Sequence, residues 1–549
     1  MSKIHLLIMT LRKITQLTLF LFTTLLFGET YYVNPTYGND SYKGTSILKP
    51  WKTLERINKH DFKKGDHILL ASGYEYKGSI ILKNEIGSKE APIKLSSYVL
   101  ENILQQKAYI NAKGYLNGIL IENSSHIEVE NVEITANGTL SPVTNNKKSM
   151  RCGILVLVTD ANTHQNIVLN DVYVHNVFFN DKGLKRGKEE VKTANGTQSY
   201  GWGIRFINNS KEGILKNLVV KNTVIENVAH TGLKFTSKSR RIFDLKVYNN
   251  QVQETGGPGM QMSGVHDGHV YQNYINKSGS NDDSRKWGRG SGLWTWGSKN
   301  VLIEKNTFMN AHGPGDSAGV HIDFNCSDIV VQYNFSADNA GGFCEILGNN
   351  YNCSYRYNIS VNDGYRIKDQ DGAFQEGKIF WLSGFCKGER RGPYNSYFYN
   401  NTIYVKNDIV AKIAVDRVSN GVLIANNIFY IEGESKIVKG DQYNPETEGE
   451  WKVKDVFFKN NAFLKVENWP PNYRIQDEDP IIGNPQFMNK GGKSITDYIP
   501  QNIKLVKDRG VVIQPLTNDS IGLKIGLKVM HDILGNKIKN QPDLGAIEL

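Results

Sequence analysis

The sequence predicts an all-β chain wound into a solenoid, on the evidence of a recurrent asparagine and of short β-rich segments between the asparagines. Eight segments carry an asparagine followed by two mostly apolar residues, at intervals of about 20 to 50 residues. These asparagines are Asn222, Asn250, Asn273, Asn306, Asn334, Asn358, Asn401 and Asn427. Units of this length bury their apolar face only by stacking on their neighbours, which predicts a quasi-one-dimensional fold.

The repeated unit is a β-strand pattern. Residues 301–304, 329–332 and 422–425 read as short strands, because they are mostly apolar, rich in β-branched side chains and followed by asparagine turns. Stacked parallel strands lie about 4.8 Å apart. An asparagine at each bend can therefore bond its amide to the next rung, and asparagine tolerates left-handed backbone there. The pattern is typical of a parallel β-helix.

Both ends of the chain carry recognisable motifs. Tyr-Tyr-Val-Asn-Pro stands at 31–35, Pro-Trp-Lys-Thr-Leu at 50–54 and Asp-Leu-Gly-Ala-Ile-Glu at 543–548. With the asparagine repeat, these motifs resemble the pectate-lyase-like superfamily, which implies a single-stranded right-handed parallel β-helix with N- and C-terminal caps. That superfamily includes polysaccharide lyases, glycoside hydrolases, epimerases and non-catalytic shafts, so function must be argued from the site.

The order of segments predicts four regions. Residues 1–28 resemble a secretory signal peptide, because Lys3, Arg12 and Lys13 precede an apolar run at 17–27 that is too short to span a bilayer. We therefore expect a secreted or periplasmic protein. Residues 29–110 should form the N-terminal cap and first coils, 111–465 the β-helix with its active face, and 466–549 the C-terminal coils and cap.

Net charge and cysteine content limit the classes of binding partner and of cross-link that we expect. The net charge of +10 favours an acidic polysaccharide or a negative cell surface over nucleic acid, although a generic solubility charge is the alternative. We expect a monomer that binds a polysaccharide or oligosaccharide and has no membrane span. The odd number of cysteines argues against a full disulfide framework, so they should stack inside the coils. The alternative is a single disulfide. They are Cys152, Cys326, Cys344, Cys353 and Cys386.

Segments that begin with glycine, at 203, 232, 259, 292, 319 and 341, align into a polar column. In a strand the third and fifth residues project together, while the second and fourth turn to the other face. The inward residues are apolar: Ile204, Leu233, Met260, Leu293, Val320 and Ile322. The outward residues are Arg205, Lys234, Gln261, Ser263, Trp294, Trp296, His321, Asp323 and Glu345. Cations, tryptophans and carboxylates along one face predict a ligand cleft.

Asp323 and Glu345 are the predicted catalytic pair. The glycine alignment gives them the same register on adjacent rungs, about 4.8 Å apart between Cα atoms. Paired carboxylates cleave glycosidic bonds, and their mutual repulsion keeps one protonated as the acid. Adjacent rungs favour retention of configuration. The pair resembles that of β-helical exo-glycosidases such as β-xylosidases, which implies Asp323 as nucleophile or base and Glu345 as general acid/base.

The other polar residues are predicted to bind or tune. His321 would hydrogen-bond a sugar hydroxyl or adjust a carboxylate, and the two tryptophans would stack on a pyranose ring. Arg205 and Lys234 would pair with a carboxylate or sulfate, beside Gln261. Arg366 and Lys368 belong to an Arg-Ile-Lys run that resembles the polygalacturonase motif. Turn residues are expected to close the site: His230, His266, Asp267, His269, His312 and Asp316.

Glycoside hydrolysis of a polysaccharide or oligosaccharide, with acidic sugars as one option, is the favoured function. A lyase must bind a uronate at the reacting position, and a central carboxylate pair repels a uronate unless calcium bridges them. The alternatives are a polysaccharide lyase or epimerase, with Lys234, Arg205 or His321 as the base, and a non-catalytic glycan-binding shaft. The histidine spacings match no standard metal motif. We predict no metal site and no required cofactor. Calcium binding at Asn281-Asp282-Asp283 is the alternative.

Overall fold

The computed structural model describes residues 28–100, 106–138, 151–178, 201–279, 289–438, 453, 455–470, 475–539 and 541–549. The predicted signal peptide, apart from Gly28, and the segment Asn281-Asp282-Asp283 lie outside these residues. Within them, successive strands enter three sheets in turn, and every pairing between neighbouring rungs is parallel. The predicted parallel β-helix is confirmed.

The described strands are assigned to sheets I, II and III in their order along the axis. Sheet I contains Thr30–Val33, His67–Ala71, Ile93–Tyr98, Ile127–Glu130, Thr163–Asn170, Ile214–Lys221, Ile242–Tyr248, Val265–Tyr271, Lys299–Glu304, Ser327–Gln332, Ser354–Arg356, Tyr394–Tyr399, Asn420–Ala425 and Val456–Lys459. Sheet II contains Ile80–Lys83, Asn117–Glu122, Arg151–Val158, Gly201–Asn208, Leu233–Ser237, Met260–Ser263, Leu293–Trp296, Val320–Ile322, Gly342–Ile346, Lys378–Leu382, Ala411–Val415 and Ser435–Ile437. Sheet III contains Glu75–Lys77, Ala108–Asn111, Val132–Asn137, Tyr173–Phe178, Val224–Val228, Gln251–Thr255, Tyr274–Ser278, Thr307–Met309, Phe335–Ala337, Ile359–Val361, Thr402–Val405, Ile428–Ile431, Ala462–Phe463 and Ile481–Ile482.

Helices are short and lie outside the coils' strands. The α-helices are Leu54–Asn58 and Ile503–Val506, and the 3₁₀ helices are Val466–Asn468 and Ile495–Tyr498. Thr53 caps the first helix, since its hydroxyl accepts from the amide of Arg56 at 3.2 Å. In the described part of the chain, helices fall short of the length and apolar character that crossing a membrane requires.

The asparagine ladder runs inside the coils, where sheet I turns into sheet III. At Asn334, Nδ2 donates to Asn358 Oδ1 on the next rung at 3.0 Å, and Oδ1 accepts from the amide of Asn306 at 3.0 Å. The series continues to Asn461 and ends on the carboxylate of Asp477. Every buried amide in the ladder thus satisfies both backbone and side-chain groups.

The predicted ladder position of Asn222 is wrong by one residue. Its side chain is exposed and bonds Asn170, while Thr223 takes the ladder position and donates its amide to Asn250. Asn222 has φ of 51°, like the residue before each later ladder asparagine, such as Tyr333 at 56° and Asn426 at 57°. The left-handed turn and the ladder are therefore built by adjacent residues, because one residue cannot both bend the chain and point its amide inward.

The predicted inward residues of sheet II form the core. Ile204, Leu233, Leu293 and Val320 have no exposed surface. Aromatic rings stack along the same direction, as in Tyr355 and Phe398, whose centroids are 5.4 Å apart and nearly parallel. All five cysteines are free and buried. Cys326, Cys344 and Cys353 pack in the core as predicted, whereas Cys152 packs in a separate cluster with Trp202, and Cys386 bonds the carbonyl of Glu389.

Residues 511–549, apart from 540, fold back against the outside of the solenoid and form what we call the C-terminal strap. Asp519 accepts from Asn352 and Tyr397, and the Tyr333 hydroxyl donates to the carbonyl of His531 at 2.8 Å. The amide of Ala546 donates to Thr402 Oγ1 at 3.0 Å. The strap thus ties several coils together on the sheets away from the polar column.

Candidate active site

The polar column forms on sheet II as a continuous row. Strand pairing places Arg205, Lys234, Gln261, Trp294 and His321 beside one another on five successive rungs. Each of these side chains is 6% exposed or less, although none belongs to the inward core face. A row of polar groups buried outside the apolar core is the setting expected for a ligand cleft.

The predicted register of the carboxylate pair is wrong. Ile322 pairs with Ile346 and Ala318 with Gly342, so Glu345 lies beside His321 rather than beside Asp323. Gly341 lies against the backbone of Ser317, before its strand begins. The double glycine therefore shifts the strand by two residues relative to the alignment. The Cα atoms of Asp323 and Glu345 are diagonal neighbours, roughly 8 Å apart.

Asp316 enters the site from the turn before strand Val320–Ile322. Both Asp316 and Ser317 have left-handed backbone, with φ of 44° and 66°. Arg366 holds this turn in place, because its Nη1 donates to the carbonyls of Gly313 and Asp316 at 3.0 and 2.9 Å. Strained backbone of this kind persists only where neighbouring groups fix it, and it is frequent at functional sites.

The Asp316 carboxylate is ionised and paired. Arg289 Nη1 lies 3.2 and 3.1 Å from its two oxygens, and both side chains are largely buried. Burial would raise the pKa of Asp316, but the charge of Arg289, with contributions from His321 and Arg366, holds it below its usual value.

Asp323 is protonated at neutral pH. Burial raises the pKa of its carboxyl to about 8, and the negative charge of Asp316 adds to that effect. The amide of Phe324 donates to Asp323 Oδ1 at 2.8 Å, which fixes the side chain but lowers the pKa only in part. Asp316 and Asp323 thus form an electrostatically coupled pair whose surroundings drive their pKa values in opposite directions.

His321 lies two residues before Asp323 and interacts electrostatically with Asp316, and its burial favours the neutral imidazole. Burial lowers the pKa of His321 to about 4, despite the opposing charge of Asp316. The Ser291 hydroxyl is 3.2 Å from its Nδ1, and Trp294 meets it edge to face at 5.3 Å between ring centroids. These contacts fix the orientation of the ring.

The two tryptophans differ in access. Trp294 is 6% exposed, with its indole nitrogen buried and unbonded among the described residues. Trp296 is half-buried and lies edge to face against Phe324, at 5.9 Å between centroids. Trp296 is the one of the two that presents ring surface.

Arg205 and Lys234 are buried cations on adjacent rungs. The Arg205 guanidinium lies 4.6 Å from the centroid of Trp202, and burial lowers its pKa to about 10. Burial also holds the pKa of Lys234 well below its usual value, with a further contribution from the charge of Arg205. Burial therefore favours the neutral form of the Lys234 amine.

Several predicted residues lie away from the column. Lys368 is exposed on its loop, and His312 lines a cavity of about 470 Å³ with Asp338, Tyr365 and Lys406. His266, Asp267 and His269 were expected at turns beside the cleft, but they belong to a strand of sheet I. His230 is buried against Trp202.

Three contributors were missed. Arg289 belongs to no periodic pattern of the sequence and bridges to Gly315 just before the strand Leu293–Trp296. Trp381 pairs with Glu345 on the next rung, and the amino group of Lys378 lies 3.8 Å from the centroid of its ring. Gly377 begins this segment, so the glycine alignment could have found Trp381 at its fifth position.

Metal ligands do not cluster in the described ranges, where no group of three or more His, Cys, Asp and Glu side chains could hold an ion. The chemistry available to the described side chains is proton transfer and nucleophilic attack by carboxyl groups, supported by a neutral histidine and buried cations.

Comparison with known proteins supports the architecture. A family model described as a right handed beta helix region matches residues 202–375. The chain is a right-handed parallel β-helix. Among solved structures, this β-helix is similar to XylC in complex with xylose, with a TM-score of 0.51, 11% identity, and coverage of 95% of this chain and 98% of that one.

Two lacto-N-biosidases are also similar to this β-helix. The lacto-N-biosidase of Bifidobacterium longum subsp. longum is 24% identical to this chain over an alignment 623 positions long, gaps included. The alignment spans 96% of this chain. The match spans only 37% of that relative's length. The GH136 lacto-N-biosidase from Eubacterium ramulus has a TM-score of 0.53 and 20% identity, covering 74% of this chain and 67% of that one. At these identities the structural likeness establishes the fold.

Proposed function

We propose that this β-helix is a glycoside hydrolase that cleaves an oligosaccharide, with Asp316 and Asp323 as its catalytic carboxyl groups. The observation that carries the proposal is the placement of two largely buried carboxyl groups at the polar column: Asp316 is paired with Arg289, and Asp323 has no ion pair among the described residues, so that burial raises its pKa. The similarity to lacto-N-biosidases supports the same class of enzyme. Action outside the cytoplasm follows from the predicted signal peptide.

In this proposal Asp323 donates its proton to the glycosidic oxygen as the bond breaks. Asp316, held as a carboxylate by Arg289, attacks the anomeric carbon or activates a water. Neutral His321 hydrogen-bonds a sugar hydroxyl without adding charge, and Trp296 offers a face to a sugar ring. Glu345, beside His321, is the third carboxyl group within the column and stays a candidate for either role.

Product analysis tests the proposal. The protein is incubated with lacto-N-biose-containing, neutral, uronate and sulfated oligosaccharides, while reducing ends and ultraviolet absorbance are followed together. We expect new reducing ends without absorbance, and a loss of about 10²- to 10⁴-fold in Asp316→Asn and Asp323→Asn. Asp244→Asn removes an exposed carboxyl from sheet I and should cleave like the wild type.

Substrates with different leaving groups separate the two roles. An activated aryl glycoside needs little proton donation, so Asp323→Asn should recover most of its rate on that substrate. Asp316→Asn should stay inactive on both substrates. The reverse pattern would exchange the roles, and loss confined to Glu345→Gln would move the catalytic pair to Asp323 and Glu345.

A polysaccharide lyase is the second candidate, and the lowered pKa of Lys234 favours it, because a neutral amine can abstract a proton. Absorbance from a new C4=C5 double bond, lost in Lys234→Met but retained in Asp323→Asn, would establish elimination in place of hydrolysis.

A further inference from the structure

Beyond Glu345, sheet II continues through three strands that carry a second group of cations. Lys378 and Trp381 belong to the first of these strands, Lys412 to the second and Lys436 to the third. Lys412 pairs directly with Lys436. Trp381 is the rung neighbour of Glu345, so these residues extend the polar column past the carboxyl groups.

Lys412 is buried without a partner. Its side chain is only 2% exposed and, among the residues that the structure describes, it has no hydrogen bond and no ion pair. The pKa of its amino group is lowered to about 8, mainly by burial and also by the charges of Lys436, Lys378 and Arg366, against the opposing carboxylate of Glu376. An ammonium in this position is costly unless an anion compensates it.

The surrounding charge is positive. Glu376 is the carboxylate that opposes these cations at Lys412. It already accepts from the amide of Lys368 at 2.6 Å and lies 4.0 Å from the amino group of Lys436. Glu376 is therefore shared with other groups, and the amino group of Lys412 has no direct counterion among the described residues, which favours an anionic ligand there.

We propose that Lys412, Lys378 and Trp381 form a subsite for a sugar that carries a carboxylate or a sulfate ester. Lys412 supplies the point charge for the anion, and Lys378, whose amino group lies over the Trp381 ring, borders it. Lys412 lies two rungs beyond Glu345, roughly 10 Å along the axis, so the charged sugar is not the one being cleaved. The position of this subsite within the substrate rests on the proposed hydrolase function.

Calorimetric binding in an Asp323→Asn background tests the subsite, because that change stops turnover in the proposed mechanism. The probes are trigalacturonate, a 6-sulfated galactotriose and neutral galactotriose. We expect one anionic probe to bind at least tenfold more tightly than the neutral one. Lys412→Met, which keeps the length of the side chain, should reduce that preference to less than twofold, and Lys412→Arg should retain it.

Lys459→Met, at a partly exposed position of sheet I, is the control for charge removal. The carboxylate and sulfate probes distinguish the two anion sources, since the tighter one identifies the group. Equal binding of all three probes, or an anion preference that survives Lys412→Met, would overturn the subsite.

The two proposals fail separately. Anion preference that depends on Lys412, in a protein that hydrolyses no probe or oligosaccharide, supports the subsite and contradicts the hydrolase. Hydrolysis without anion preference supports the hydrolase and contradicts the subsite.

Discussion

Arg289 donates to both carboxylate oxygens of Asp316, at 3.2 and 3.1 Å. The pair links Arg289 to the left-handed turn at Asp316, which precedes the strand that carries His321. The pair is largely buried, with side chains 14% and 11% exposed. Removing one member of such a pair leaves the other as an uncompensated buried charge. Arg289 therefore governs the ionisation of Asp316.

Replacing Arg289 should move the acidic limb of the pH profile. In Arg289→Gln the carboxylate loses its main stabilising charge, so we expect the lower pKa of kcat/KM to rise by about one unit or more. The profile is measured from pH 3 to 9 on the best substrate found. Arg509→Gln, which replaces an exposed arginine, is the control and should leave the pH profile unchanged. If the acidic limb also stays unchanged in Arg289→Gln, Arg289 does not control the ionisation of Asp316.

Replacing Asp323 should remove activity but increase stability above acidic pH. The folded pKa of about 8 lies above the unfolded value of 3.8, so wild-type folding loses free energy as pH rises from about 4 to about 8. Asp323→Asn has no ionisable group there and keeps the acceptor for the Phe324 amide. We expect a gain of about 1 to 3 kcal/mol in the free energy of unfolding at pH 8.

Scanning calorimetry at pH 4 and pH 8 checks this sign. The difference in Tm between Asp323→Asn and the wild type should be near zero at pH 4 and positive at pH 8. Asp244→Asn, at an exposed position, should show no such dependence. A lower Tm for Asp323→Asn at pH 8 would mean that the carboxyl is ionised and stabilised in the folded state.

The ladder is testable with two matched asparagine to aspartate changes. Asn334→Asp removes the amide that donates to Ile303, Gln332 and Asn358, and places a charge in a fully buried site. We expect it to cost about 3 kcal/mol or more. Asn222→Asp keeps an exposed left-handed position and should cost less than about 0.5 kcal/mol. Similar losses of Tm for both would contradict the ladder register.

The cysteines should be inert in the folded protein. All five are buried and free, and burial raises the pKa of Cys152 and of Cys326 to about 12. Thiolates are the reactive form, so a thiol reagent should label the native protein negligibly and the denatured protein fully. Added reductant should leave Tm unchanged. A reductant-dependent Tm would reveal a disulfide.

The coils were predictable because their signals are local and repeated. The strand-like run at 329–332 and the spacing of Asn334 and Asn358 each depend on one rung and its neighbour. The inward positions of Leu233 and Val320 could therefore be predicted from the sequence. The error at Asn222 came from the same source. Adjacent residues share the bend and the ladder, and the sequence alone does not separate their roles.

The site was harder to predict because its residues come from turns of unequal length. Asp323 and His321 lie on a strand and were found by alternation. Asp316 is predicted to close the site, whereas the structure shows that Arg366 and Arg289 hold it within electrostatic range of His321. No periodic pattern reports contacts between loops, and the Gly341-Gly342 pair shifts the register without changing the composition of the strand.

The C-terminal strap changes how this solenoid can assemble. In an ordinary repeat array each unit contacts only its neighbours, so folding can spread unit by unit. Here residues near 530 bond Tyr333, 198 positions earlier, and Asn352 bonds Gly522, 170 positions later. Coils completed early on the ribosome therefore await contacts that only a segment synthesised much later supplies. Release of the strap should open the middle coils together rather than fray them from one end.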